Sequence, residues 1–316
     1  IDGDCSIQGD TSINNELEIL EGKTLSINST LSLLIPSEIN VGKGDIIINE
    51  STSGTPHSIK KETEGDLIFD GVVENHGTIS VSTPESSSNS NNIIFNNTVQ
   101  NYSTISATKG DITFNSEINI GSPDSTDSAS YAMVDALNGE IIINDNLNIF
   151  KPTVFQGNTD LTNENTNFSC NSSLFFFHNP KPDEENRKIL KLKDGTNISK
   201  LYFAGNVDIN VGANGTGTLT TEYLAMEIPS PDFTSTDDFY IPHNFTANIY
   251  GIVNSGNNTP TEKGINITRC SKTDNIIGTI NFNGKITNNN ITETHSGTTT
   301  NIPETFSFTT NKFIHS

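Results

Sequence analysis

Two acidic phrases could act on a sugar: Asn158-Thr159-Asp160 and Asp237-Asp238. Inverting glycoside hydrolysis needs two carboxylates held about 6.5–9.5 Å apart, so that one protonates the leaving oxygen while the other activates water. Asp160 and Asp237 are 77 residues apart and fall on either side of a change in sequence texture near residue 228. Oxygen-ligated calcium is the next chemistry to weigh. Asp124 with Asp127, and Asp183-Glu184-Glu185, offer carboxylates without the alternating spacing of a calcium loop. The six histidines (His57, His76, His178, His243, His295 and His315) show no paired ligand spacing, so no metal site is expected.

Pectin-cleaving β-helices add a Gly-His-Gly and an Arg-x-Lys phrase to their carboxylates. Here His76-Gly77 runs in the opposite order, and Arg-x-Lys does not occur. A lyase would need a basic residue beside a calcium site, and the chain has only Arg187 and Arg269 as arginines. The expectation is a non-catalytic protein without a cofactor, a polysaccharide-processing enzyme being the last alternative.

The elements that must position any site are marked by a recurring phrase. Gly44-Asp45-Ile46-Ile47-Ile48-Asn49 returns as Gly65-Asp66-Leu67-Ile68-Phe69-Asp70 and as Asn91-Asn92-Ile93-Ile94-Phe95-Asn96. It returns again as Gly110-Asp111-Ile112-Thr113-Phe114-Asn115 and Gly139-Glu140-Ile141-Ile142-Ile143-Asn144. A loose period of this size marks a solenoid, in which each turn buries its strand against its neighbours. The reading places Ile46, Leu67, Ile93, Ile112 and Ile141 in one stack. Asn49, Asp70, Asn96, Asn115 and Asn144 fall at a corner, where Asn and Asp tolerate left-handed backbone and can form ladders.

A second apolar patch follows in each repeat, as in Gly77-Thr78-Ile79-Ser80-Val81. Polar insertions at 51–64, 82–90 and 122–130 are expected on one face, where they can carry recognition. Ser173-Leu174-Phe175-Phe176-Phe177 reads as the filling of a wide turn rather than a sugar platform. The stretch 128–137 is the one place that could hold a short helix. Past Pro229-Ser230-Pro231-Asp232, alternating strands with frequent turns read as a β-sandwich. The expected architecture is thus an all-β chain, a parallel β-helix over 1–228 followed by a small β-sandwich over 229–316.

Apolar residues make up 32% of the 316 positions, but they lie in runs bounded by Gly, Asn, Asp and Ser, which argues strands rather than disorder. The net charge of −21, from 38 acids against 17 bases, disfavours nucleic acid, whose phosphates require clustered Lys and Arg. No apolar run approaches the length of a membrane span. A secreted, mature or trimmed chain without direct membrane contact is expected. Asn-x-Ser/Thr sequons stand at Asn28, Asn49, Asn96, Asn101, Asn167, Asn171, Asn197, Asn214, Asn244, Asn257, Asn266 and Asn290. They are candidate glycosylation sites, although an Asn-, Ser- and Thr-rich chain also produces sequons by chance.

Cys5, Cys170 and Cys270 leave at least one thiol without an internal partner. About seven turns, on the order of 30 Å, separate Cys5 from Cys170 in a straight solenoid, too far for a disulfide. Cys170 with Cys270 is the preferred pair, if the C-terminal region folds back. Cys5 with Cys270 is the competitor and requires that region to reach the opposite end.

Taken together, the Gly-Asp-Ile-Ile-Ile-Asn repeats, the Asn/Ser/Thr bias, the sparse cysteines and Ile277-Gly278-Thr279-Ile280-Asn281-Phe282 resemble the N-terminal domain of hyphally regulated cell wall proteins. That resemblance covers essentially the whole chain. It implies a right-handed β-helix followed by a smaller β-sandwich, within a longer, glycolipid-anchored fungal wall protein carrying a Ser/Thr-rich stalk. It also implies a monomeric adhesin-like role in attachment and biofilm, toward a glycan, protein or abiotic surface. It carries over no binding residue. A structural wall coat without a specific ligand is the alternative.

Overall fold

A computed structural model describes residues 1–35, 38–52, 54–83, 89–124, 130–164, 166–177, 187–204, 206–226, 244–255, 264–268, 277–287, 291–295, 298–302 and 308–310. Strands account for 55% of the chain and helix for 1%, which makes it all-β, and the strands wind as a parallel β-helix. Two compact units divide it, 1–153 with 163–167 and 154–162 with 168–316.

The first unit has three strand faces per turn. Face 1 stacks Ile39–Asn40, Leu67–Phe69, Ile93–Phe95, Ile112–Phe114 and residues 141–143. Face 2 stacks Cys5–Ile7, Thr24–Ile27, Asp45–Ile48, Val73–Asn75, Val99–Asn101, Ile118–Ile120 and Leu147–Ile149. Face 3 stacks Thr11–Ile13, Thr30–Leu33, Ser58–Lys61, Thr78–Val81, Thr104–Ala107 and residues 133–136. Every pairing is parallel and in register. Strand side chains alternate, so the apolar residues of each strand meet inside. Leu67, Ile93, Ile112 and Ile141 are fully buried in one column. In the next inward column Phe69, Phe95 and Phe114 stack with centroids 5.0 and 5.1 Å apart.

The recurring phrase is corner chemistry. An Asp or Asn at the start of a strand, or just before it, accepts the backbone N–H one turn further on. Asp45 Oδ1 takes Val72 N at 3.1 Å, Asp66 Oδ1 takes Asn92 N at 2.8 Å, and Asp111 Oδ1 takes Glu140 N at 2.8 Å. The residue after the strand builds a ladder between turns. Asn96 Nδ2 donates to Asp70 at 2.7 Å, Asn115 to Asn96 at 2.7 Å and Asn144 to Asn115 at 2.8 Å. Asn40 donates to Asp70 from the other side at 2.9 Å. Asp70 accepts from both neighbours, and these bonds, that from Asn96 foremost, hold its carboxyl below the usual range.

Four sequence expectations are corrected. Ile46 does not join the column of Leu67. It lies on face 2 between Leu25 and Val73, and Asn49 donates to Asn28 there at 2.9 Å. The phrase marks a strand that follows a corner, whichever face that strand occupies, and Ile39–Asn40 fills the face-1 slot of that turn. The polar stretch 51–64 is not all loop, because Ser58–Lys61 is a strand of face 3. The stretch expected to allow a helix contributes instead to strand Ala132–Ile143. The one helical turn among the described residues is Ala213–Gly215.

The fourth concerns the C-terminal region. The second unit pairs Lys188–Leu192 with Val207–Val211, and Phe168–Phe177 with Thr196–Ala204 and then Thr218–Met226, all parallel. Parallel, in-register pairing persists beyond the expected boundary at 228/229. Asn244–Ser255 pairs with Val207–Val211 and Ile277–Thr287, and Gly264–Thr268 with Thr218–Met226 and Ile291–His295. Antiparallel pairs join only residues 284–286 to 308–310 and 291–295 to 298–302 among the described strands. Alternation has the same period of two in solenoid and sandwich strands, so it did not separate them. Pro229 to Asp232 lie outside the described residues.

Candidate functional site

Each face of the first unit shows a different chemistry to solvent. The outward centre of face 1 is a column of Asn40, Ile68, Ile94, Thr113 and Ile142. On face 2 the same position holds Ser26, Ile47, Glu74, Gln100, Asn119 and Asn148, and Asn148 Nδ2 donates to Asn119 at 2.9 Å. Face 3 presents hydroxyls in two rows, with Thr78 and Thr104 in one, which ends on Met133, and Ser32, Ser80 and Ser106 in the other, joined by Lys60 and Asp135.

Insertions are distributed unevenly over the corners. Face 1 passes to face 2 through residues 70–72, 96–98, 115–117 and 144–146, a uniformly short connection closed by the Asn ladder. Residues 49–57 and 121–131 connect face 2 to face 3, and residues 62–66 and 82–92 connect face 3 to face 1; residues 53, 84–88 and 125–129 of these connections lie outside the described residues. The expected insertions therefore flank face 3 on both sides. Beside its entry edge lies the stacked pair His76 and Tyr102, with centroids 4.2 Å apart. His76 Nε2 lies 2.7 Å from Glu74 Oε1. Partial burial, helped by Glu74, raises the Tyr102 phenol and keeps it neutral.

Two asparagines, Asn75, which the sequence did not single out, and Asn101, expected as a glycosylation site, hold this entry edge from within. Asn75 and Asn101 are fully buried in an inward column otherwise filled by isoleucine. Asn75 Nδ2 donates to Asn101 Oδ1 at 2.8 Å and to Thr104 O at 3.0 Å, while Gly77 N donates to Asn75 Oδ1 at 3.1 Å. The sequon at Asn101 is thus a structural corner, its Nδ2 also donating to Ser103 O at 2.9 Å. Asn171 and Asn197 are exposed. Asn28 and Asn49 form their own ladder step, and Asn96 and Asn167 donate to Asp70 and Asn146. The side chains of Asn214, Asn244 and Asn266, and the whole of Asn257 and Asn290, lie outside the described residues.

The residues singled out for sugar chemistry are engaged structurally. Asn158 Oδ1 accepts Ile189 N at 2.9 Å, Thr159 is buried, and Asp160 accepts Lys191 Nζ at 2.8 Å and Thr162 Oγ1 at 2.6 Å. Burial pushes the Asp160 carboxyl up, but the bonds from Lys191 and Thr162 outweigh it and leave it lowered. Arg187 is held by Asp208 Oδ1, with Nε at 2.8 Å, and by Val207 O at 2.7 Å. Asp237, Asp238, Asp127, Asp183, Glu184 and Glu185 lie outside the described residues. Among the described residues, no group of three His, Cys, Asp or Glu side chains could hold a metal ion. Phe175 packs on Tyr202 at 4.4 Å between centroids and Phe176 is fully buried, so both serve packing.

Cys170 is buried, and burial pushes its thiol up to about 12. Cys270, its expected partner, lies outside the described residues. Cys5 is exposed. Only the thiolate is a nucleophile, so iodoacetamide at pH 8 should alkylate Cys5 in the native protein and leave Cys170 unmodified until denaturant is added. Peptide mass mapping reads this directly. Labelling of native Cys170 at the rate of Cys5 would contradict the packing described.

No family model, curated protein or solved structure matches the chain.

Proposed function

We propose that the chain is a non-catalytic, adhesin-like display domain of a cell-surface protein, holding its ligand over face 3 of the first unit. The observation that carries this reading is the placing of the insertions. They flank a floor of in-register hydroxyls, whereas the corner between faces 1 and 2 is kept short in every turn. Loops carry recognition when a rigid scaffold spaces them, and the stacked strands are such a scaffold. A hydroxyl floor suits a ligand rich in hydrogen-bonding groups, a glycan before an apolar one. In this proposal the domain belongs to a longer fungal wall protein and acts outside the cell.

The test uses the purified chain on a glycan array and on immobilised cells, with a reducing-sugar assay run in parallel. Replacing residues 121–131 by a short Gly-Asn corner should lower retention about ten-fold, as expected for loss of a central contact, and leave the circular dichroism of the strands unchanged. Retention unaffected by that change and by the matching change at 82–92 would refute display over face 3. Absence of any binding would favour a structural coat, and release of reducing ends would favour a processing enzyme.

A further inference from the structure

The outward column of face 1 departs from its counterparts. Ile68, Ile94 and Ile142, with Thr113 between the last two, stand half-buried in register on the solvent side. Face 2 holds one aliphatic residue, Ile47, among Ser26, Glu74, Gln100, Asn119 and Asn148 at the same position, and face 3 holds Ser32, Lys60, Ser80, Ser106 and Asp135, so the fold does not require a run of aliphatic ones there. Cross-strand packing buries part of each isoleucine on folding, and the aliphatic area that the stripe leaves in water marks an interaction surface.

Its borders indicate what binds. On one side runs the row Asp66, Asn92, Asp111 and Glu140; on the other runs Asp70, Asn96, Asn115 and Asn144. The two rows hold four carboxylates and no Lys or Arg. Lys43 is the base that acts on Asp70, and Asp66 acts on the buried Lys61. No insertion rises at the corner beside the second row. A second copy of this chain is a poor occupant, because the same acids would face each other in a molecule of net charge −21.

We propose that face 1 of the first unit docks a cationic amphipathic polypeptide segment. Its apolar side lies along Ile68, Ile94 and Ile142, and its Lys or Arg side chains lie beside Asp66, Asp70, Asp111 and Glu140. Four strands at about 4.8 Å give the stripe a length of about 14 Å, enough for a short extended segment. This surface is separate from the ligand floor proposed on face 3.

The probe is a short fluorescent peptide of alternating leucine and lysine, titrated against the full chain by anisotropy at 0.15 M salt, where long-range attraction is screened. Peptides of alternating serine and lysine, and of leucine and glutamate, are the controls. The leucine–lysine peptide should bind at least about ten-fold tighter than either control. I68S/I94S/I142S should lose that margin. I94T, which places in the column the residue already present at Thr113, should weaken binding about three-fold without disturbing the fold. Glu140→Gln should reduce the salt dependence. Thr104→Val on face 3 should change nothing. Equal binding of the serine–lysine peptide, or full binding by both Ile variants, would show mere charge attraction and overturn the proposal, as would no binding at all. None of these outcomes bears on retention through face 3.

Discussion

Replacing Lys61 by Ala should remove about 3–5 kcal/mol from the stability of the first unit, from a large buried deletion plus lost hydrogen bonds. Lys61 is fully buried on the inward side of face 3, in line with Leu33 and Val81. Its Nζ donates toward Glu64 O at 2.5 Å, Thr63 O at 2.9 Å, Thr63 Oγ1 at 3.1 Å and Ile35 O at 3.2 Å, tying two successive corners together. Lys61→Met should cost less, about 1–3 kcal/mol. Its stem fills the space, Thr63 Oγ1 still donates to Ile35 O at 2.6 Å, and Asn91 Nδ2 still donates to Thr63 O at 2.8 Å. Glu64 O is the carbonyl that loses most.

The ammonium also leaves a pH signature. Burial lowers its pKa from 10.5 to about 8, against the opposing pull of Asp66 and Glu64. Between those values the unfolded chain binds the proton that the folded chain has released, so stability rises with pH. The rise should approach roughly 3 kcal/mol by pH 10.5, at 1.36 kcal/mol per pKa unit. Below pH 8 this contribution is flat. Urea denaturation from pH 7 to 10.5 should show a more positive slope in the native protein than in Lys61→Met, because the raised Cys170 thiol and Tyr102 phenol lower stability with pH in both alike. Equal slopes in the two proteins would mean that Lys61 does not titrate as its burial demands.

Lys61 also shows where reading the residues stops. In Ser58-Ile59-Lys60-Lys61 the period of two puts Ile59 and Lys61 on the inner side, but a charged residue between polar stretches reads as loop. Only the neighbouring corners reveal the carbonyls that satisfy it. Asn75 and Asn101 escaped for the same reason: a buried amide is legible only once its partners one turn away are known. The Gly-Asp-apolar phrase, by contrast, was legible because its chemistry is local, a side chain capping a corner. Which face each copy occupies was not, since that depends on register counted across insertions, and Ile46 went to the wrong column accordingly. At the candidate site, the insertions and their polarity were legible one by one. Their convergence on the two borders of face 3 is a property of the three-strand turn.

Gly110→Ala should be among the most damaging single changes, costing about 3–5 kcal/mol or preventing folding, at the upper end of single-residue effects. A Cβ on Gly110 would collide with the carbonyl oxygen and carbon of Asn91, one turn below. Asn91 cannot withdraw. It is fully buried, its Nδ2 donates to Thr63 O at 2.8 Å, and its Oδ1 accepts Gly65 N at 2.9 Å. The next turn repeats the contact, since a Cβ on Gly139 would strike the Gly110 carbonyl. Gly22→Ala separates steric overlap from backbone preference. Gly22 has φ 73° and open space around it, so alanine there should cost only the left-handed penalty of about 1–2 kcal/mol. Thermal melts should therefore rank Gly110→Ala and Gly139→Ala together, well below Gly22→Ala, which in turn lies slightly below the native protein. If Gly110→Ala melted with Gly22→Ala, the turns would have room to separate, and the close stacking of corner on corner that sets the solenoid's register would not be the constraint that excludes a side chain there.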